Sequence, residues 1–269
     1  MTEGIEFTAT PDEERLTNLL SSPVAMADGG TTGADLLWFR YWSSPYGEFM
    51  DKQPYRFAQH FGYEENLMIA DLGIDVLPRD HQMETGLFVC WILDKEFEES
   101  GTYPIMLDDI GIVLFAAFIH DSGESLHPEI AEEVGAVVGD IPYGHKTDED
   151  RRVEAAVRRA LYSRLYPDVD TGILERVEGI ISHKDTTSLH DLFEAAHSLQ
   201  AFVTSMRAKS AHIKALSGEI TRDLDTIVKL DQLHRTVAKN MAPHVKEWAK
   251  RLKFAAHIIE LYSEVFEQS

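Results

Sequence analysis

The chain has 269 residues, 44% of them hydrophobic and 26% charged, which is enough apolar material for a large globular core. Its formal net charge of −21 repels phosphate backbones and anionic lipid, so neither nucleic acid nor a membrane surface is expected as a partner. One cysteine, Cys90, excludes an internal disulfide, and the longest apolar run, "IGIVLFAAFI", is too short to span a bilayer.

The first residues, "MTEGIEFTATPDEER", are polar and acidic and do not read as a signal peptide, so the expected compartment is the cytoplasm. A helix is expected near Pro11–Leu20. "DGGTTG" lacks the Lys-Ser/Thr of a phosphate-cradling loop and reads as a flexible loop. "WFRYWSSPYGEF" is aromatic and turn-rich, more like a docking segment than a regular element. Helical periodicity starts near residue 55 with "RFAQHFGYEENLMIADLGI" and continues in "DHQMETGLFVCWILDKEFEES", which Gly101 closes. "DDIGIVLFAAFIHDSGES" opens on two acids that suit a helix N-terminus, and its middle is apolar on every side. Such a helix belongs at the centre of a fold.

Further helices are expected in "DEDRRVEAAVRRALYSRLYP", "TGILERVEGIISHKD" and the long "SLHDLFEAAHSLQAFVTSMRAKSAH". Two more fill 212–269, with a break near "MAPHV". No convincing pair of alternating strands is visible, so the class is all-α. Residues 209–253 hold ten Lys or Arg against five Asp or Glu, near +5, leaving the remainder near −26. That segment reads as a solvated helical face, or as a basic arm on the acidic body or on a second subunit.

A polar triplet, His120, Asp121 and Glu124, ends the most apolar helix. Burying it costs free energy unless something satisfies it. At about 100° per residue the three fall within one arc. His plus Asp is a metal-ligand set, and a carboxylate one turn on can serve as acid or base beside the ion. Six of the 12 histidines lie between residues 120 and 197. His190, Glu194 and His197 share one helix face, and His81 opens a largely apolar helix. If the helices surround the central one, His81, His120, Asp121 and His197 converge.

In these residues the chain resembles the HD superfamily of metal-dependent phosphohydrolases, whose pattern is H…HD…D on an all-α fold. More narrowly, it resembles bacterial 5′-deoxynucleotidases and related HD proteins. The resemblance rests on "PRDHQMETG" with His81, "IHDSGES" with His120, Asp121 and Glu124, and "VVGDIPYGHK" with Asp140 and Lys146. It continues through "RRVEAAV" and "ISHKDTTSLHDLFEAAHSLQAF", covering about residues 55–210. It implies an HD helical bundle over 55–211, with an N-terminal extension over 1–54 and a C-terminal helical appendage over 212–269.

The resemblance also implies site roles. His81, His120, Asp121 and His197 would bind the metal, and Glu124 and Asp140 would be catalytic. Lys146, and more weakly Arg40 and Trp42 in "FRYW", would bind a small phosphorylated substrate, with Arg56 a rival to Arg40. The implied reaction is hydrolysis of a (deoxy)nucleoside 5′-monophosphate or a related phosphomonoester, in a homodimer. His197 stands where the family has its last metal-binding Asp. Three imidazoles and one carboxylate suit Mn, Co, Fe or Zn better than Mg. "SLHPEIAEEVGAVV" lengthens the link between Glu124 and Asp140. Two rival readings follow: a di-iron oxygenase of the same fold, with His127, His145 and His183 completing a second metal site, or a non-catalytic binding and assembly protein.

Overall fold

The computed structural model describes residues 13–52, 78–124, 126–136, 147–182 and 187–266. It is predominantly helical, as the sequence predicts. The expected helix over "RFAQHFGYEENLMIADLGI" lies outside the described residues, as do Arg56, Asp140, His145, Lys146 and His183.

The N-terminal part differs from its sequence reading. Helix α1 (Glu13–Leu20) leads into strand β1 (Pro23–Ala25), which pairs antiparallel with β2 (Thr31–Gly33). "DGGTTG" is therefore half of a hairpin rather than a flexible loop. Gly29 takes φ +86°, which other residues rarely adopt, and Asp28 accepts a hydrogen bond from the Gly30 amide at 2.9 Å. Backbone hydrogen bonds from Ala27 to Asp168 and from Asp170 to Ala25 fasten the hairpin to a distant loop. "WFRYWSSPYGEF" is not a loose docking segment either. It forms α2 (Ala34–Trp42) and α3 (Pro45–Asp51), joined at Ser44, whose hydroxyl caps α3 through the Gly47 amide at 3.2 Å. Leu37, Tyr41, Trp42, Tyr46 and Met50 enter the core from these two helices.

Helix α4 (Pro78–Ser100) stops at Gly101, whose φ is +74°. Helix α5 (Leu107–Ile119) is the apolar run, and every residue from Asp109 to Ile119 is buried. Its neighbours approach closely. A Cβ on Gly111 would lie 2.2 Å from the Pro23 carbonyl oxygen, and one on Gly86 would lie 2.1 Å from the Phe118 ring. Glycine at these two positions lets β1 and α4 reach α5.

A 3-10 turn (His120–Glu124) continues α5 without a break. Helix α6 (Pro128–Val134) follows, with His127 at its N-cap. Helix α7 (Asp148–Leu165) starts with a capping box between Thr147 and Asp150, and α8 (Thr171–Ile181) starts on Asp170. Helix α9 (Ser188–Ser217) runs unbroken past residue 212 and ends at Gly218, φ +79°.

Helix α10 (Leu224–Ala249) then packs antiparallel to α9. His212 bonds the Ile227 carbonyl at 2.9 Å and His234 bonds the Ser205 carbonyl at 3.2 Å. The expected break near "MAPHV" does not occur. Pro243 lies inside α10 on an exposed face, as does Lys239, to whose carbonyl a proline four residues on cannot donate. Helices α11 (Lys253–Leu261) and α12 (Ser263–Phe266) complete the described chain. One apolar cluster runs from Leu19 through α5 to Ile258 and Phe266, so both terminal segments share the central core.

Candidate metal centre

Three elements deliver one histidine each. His81 lies in the first turn of α4, His120 caps α5 and opens the 3-10 turn, and His197 lies on α9. The ligating nitrogens of the three lie within 4.8 Å of one another. His81 Nε2 and His120 Nε2 are 3.1 Å apart. Asp121 Oδ2 is 3.6 Å from His81 Nε2 and 3.4 Å from His120 Nε2. The His197 ring lies 5.3 Å from the His81 ring and 5.1 Å from the His120 ring, centroid to centroid. The three histidines thus meet, with Asp121 beside two of them, although they are spread over more than a hundred residues of chain.

Burial makes this grouping costly without a ligand. His81 and His120 are only 2% and 6% exposed. Burial drives His81 well below its ordinary pKa; the Asp121 carboxylate opposes that shift and His120 and His197 add to it. His81 is therefore neutral near pH 7. His120 Nδ1 lies 2.8 Å from the Ala117 carbonyl and donates its proton there, which leaves Nε2 as the nitrogen that faces His81. Two imidazole nitrogens 3.1 Å apart then call for a shared proton or a shared cation.

The spacing suits a cation. Two donors each about 2.1 Å from a common ion lie about 3.0 Å apart at a right angle and about 4.2 Å apart when opposed. The separations of 3.1, 3.4 and 3.6 Å among His81, His120 and Asp121 fall in that window, and the ligating nitrogen of His197 lies within 4.8 Å of those of the other two histidines. Three imidazoles, with the Asp121 carboxylate beside two of them, offer donors of the kind that can hold a metal ion.

The walls around the ligands are built tightly. Phe193, one turn before His197, lies parallel to its ring at 6.0 Å. The 3-10 turn packs on α7, where a Cβ on Gly123 would meet the Glu154 carbonyl at 2.7 Å. Behind it, buried Arg158 forks onto Glu178 at 2.8 and 2.9 Å. Glu124 closes the same turn, half-buried, four residues after His120.

Other predicted site residues have structural partners. Arg40 forks onto Asp168 at 2.5 and 3.1 Å and reaches the Leu165 carbonyl at 3.2 Å. That contact holds the Asp168 carboxyl below its usual range. Trp42 packs edge-on against Tyr41. His127 accepts from the Glu129 amide and sits edge-on against Tyr46 and Phe49. His190 bonds the Ile180 carbonyl at 2.9 Å. Burial pushes the Cys90 thiol upward, as expected of an inert core cysteine.

Sequence reasoning missed Gln200, Glu84 and Arg207. Gln200 lies three residues after His197 and Glu84 three after His81, so helical spacing was the signal available for both.

The fold and site together define a predominantly helical protein with a buried histidine cluster able to hold a metal ion. No known family model, curated protein or solved structure matches the chain.

Proposed function

We propose that the protein is a metal-dependent phosphohydrolase of the HD type, acting on a small phosphomonoester such as a (deoxy)nucleoside 5′-monophosphate. The observation that carries this reading is the meeting of His81, His120 and His197 from three separate helical elements, with Asp121 beside the first two. A bound divalent ion supplies Lewis acidity and a water of lowered pKa. Three neutral imidazoles and one carboxylate leave such a site with a net positive charge. That charge attracts a phosphate into a protein whose overall charge is −21.

The chain's own groups do the rest. His81, His120, Asp121 and His197 hold the ion and fix its orientation to the cleft. Glu124 donates a proton to the leaving 5′ oxygen or takes one from the attacking water. By the family resemblance, Asp140 binds a sugar hydroxyl and Lys146 attracts the phosphate as a point charge.

The test is elemental analysis of the purified protein beside His120→Ala and His197→Ala, followed by phosphate release from a panel of nucleoside monophosphates with added Mn or Co. About one ion per chain, lost in both variants together with turnover, is expected. Saturating metal should also raise the thermal midpoint, since a ligand at a hundred times its Kd stabilises by about 2.7 kcal/mol. Wild-type protein that retains no metal and does not respond to added Mn, Co or Zn refutes the proposal.

A further inference from the structure

The three histidines are held in place by different means. His81 and His120 approach to 3.1 Å, and just beyond them α4 and α5 lock together where Gly86 admits the Phe118 ring. His197 comes from α9, and its ligating nitrogen lies within 4.8 Å of the other two. Its distance from them depends on how α9 lies against α4.

A polar contact joins those two helices beside the site. Glu84, three residues after His81 on α4, accepts from Arg207 Nη1 at 2.7 and 2.9 Å and from Gln200 Nε2 at 3.2 Å. Gln200 follows His197 by three residues on α9, so this bond sits about 4.5 Å along each helix from a histidine. Gln200 is fully buried, and its Nε2 also lies 3.1 Å from Thr204 Oγ1, so that nitrogen is held from two sides.

The contact is a poor source of stability. The Glu84 and Arg207 side chains are 24% and 30% exposed, and an ion pair that reaches solvent contributes little. Its effect is geometric. One carboxylate grips α9 at two points, Gln200 and Arg207, about two turns apart. Near His197, α9 can neither slide nor roll along α4 without breaking one of those bonds.

We propose that Glu84 is a positioning residue for the metal centre: by gripping α9 at Gln200 and Arg207, it sets the distance of His197 from His81 and His120. The role rests on the metal-centre reading above.

The experiment uses full-length protein stripped of metal, with folding and thermal midpoint checked by circular dichroism. Co(II) is titrated while its visible ligand-field bands are followed. In the loaded protein, imidazole N–H protons shifted by Co(II) in the 1H NMR spectrum count the bound histidines. Wild type should show three. Glu84→Ala removes the grip and keeps a good helix former on α4. It should bind Co(II) about 10-fold more weakly and lose or broaden one of the three signals, with little change in the metal-free midpoint. Arg15→Ala is the control, because Arg15 ties α1 to α4 through Asp94 at 2.6 Å, on a segment that carries no ligand. It should match wild type in both metal readouts. Should Glu84→Ala fail to fold, Arg207→Met should weaken Co(II) binding in the same direction.

Wild-type affinity with all three signals in Glu84→Ala overturns the proposal. So does equal weakening in Glu84→Ala and Arg15→Ala, which marks a general loosening of α4. If wild-type protein takes up no Co(II), the metal-centre reading fails and the positioning role falls with it.

Discussion

Gly86→Ala tests how α4 meets the helix that leads into the site. The added Cβ would lie 2.1 Å from Phe118 Cε1, 2.8 Å from Cδ1 and 2.9 Å from Cζ. Carbon atoms pack at about 3.5–4.0 Å, so ring or helix must move by about 1.5 Å. Phe118 is fully buried and cannot swing into solvent. Overpacking of this kind costs about 1–3 kcal/mol, and the depth of the clash places it at or beyond the upper end. Alanine returns about 1 kcal/mol of helix propensity. The net loss is about 2 kcal/mol, or about 4–8 °C in thermal midpoint for a chain of this size.

Gly111→Ala serves as a control, because its Cβ would strike the Pro23 carbonyl, at the other end of α5. Both variants should melt early in scanning calorimetry of the metal-free protein. Only Gly86→Ala should also weaken Co(II) binding, since Phe118 precedes His120 by two residues. A Gly86→Ala protein as stable as wild type refutes the packing argument.

Two further outcomes follow from buried charge. Arg158→Met should cost about 3–5 kcal/mol in urea unfolding, because it strands the half-buried Glu178 carboxylate and leaves the buried Glu154 without that nearby positive charge. Arg158→Met combined with Glu178→Met should recover much of that loss, and a double variant no better than the single contradicts the reasoning. Acid stability follows from His81 and His234, both held below their ordinary pKa chiefly by burial, with Lys209 adding to the shift at His234. The folded chain resists protons that the unfolded chain accepts. Stability should therefore be full above about pH 6.5 and fall below it, by up to about 1.4 kcal/mol per pH unit for each group. Urea titrations of metal-free protein at pH 7.5, 6.5 and 5.5 read the slope, which should be shallower in His234→Gln; an unchanged slope in that variant refutes its part.

The central helix was legible because an apolar run of ten residues with no polar face has nowhere to go but the interior. The place of the histidine cluster was legible because His120 and Asp121 end that run, and a polar pair there needs a reason. The hairpin at 23–33 was not. Its strands are three residues long, and its anchors, Asp168 and Asp170, lie more than a hundred positions away. The sequence around Pro243 suggested a break because proline removes a helical hydrogen bond. What local pattern could not show is that the bond is lost on the solvent side, where it costs least. Gln200 offered only its helical spacing from His197. A buried carboxamide takes its meaning from Glu84 and Thr204 around it, and only the packing of α9 on α4 supplies Glu84.

Every side of α5 is walled in, and its last residue hands the chain directly to His120 and Asp121. That pair therefore inherits the stiffness of the molecule's most crowded interior. Under the proposed function, a bulky phosphomonoester gains no space from this side. Natural variation in what the protein accepts would have to come from elements further from the axis, while α5 itself tolerates little beyond swaps of equal volume.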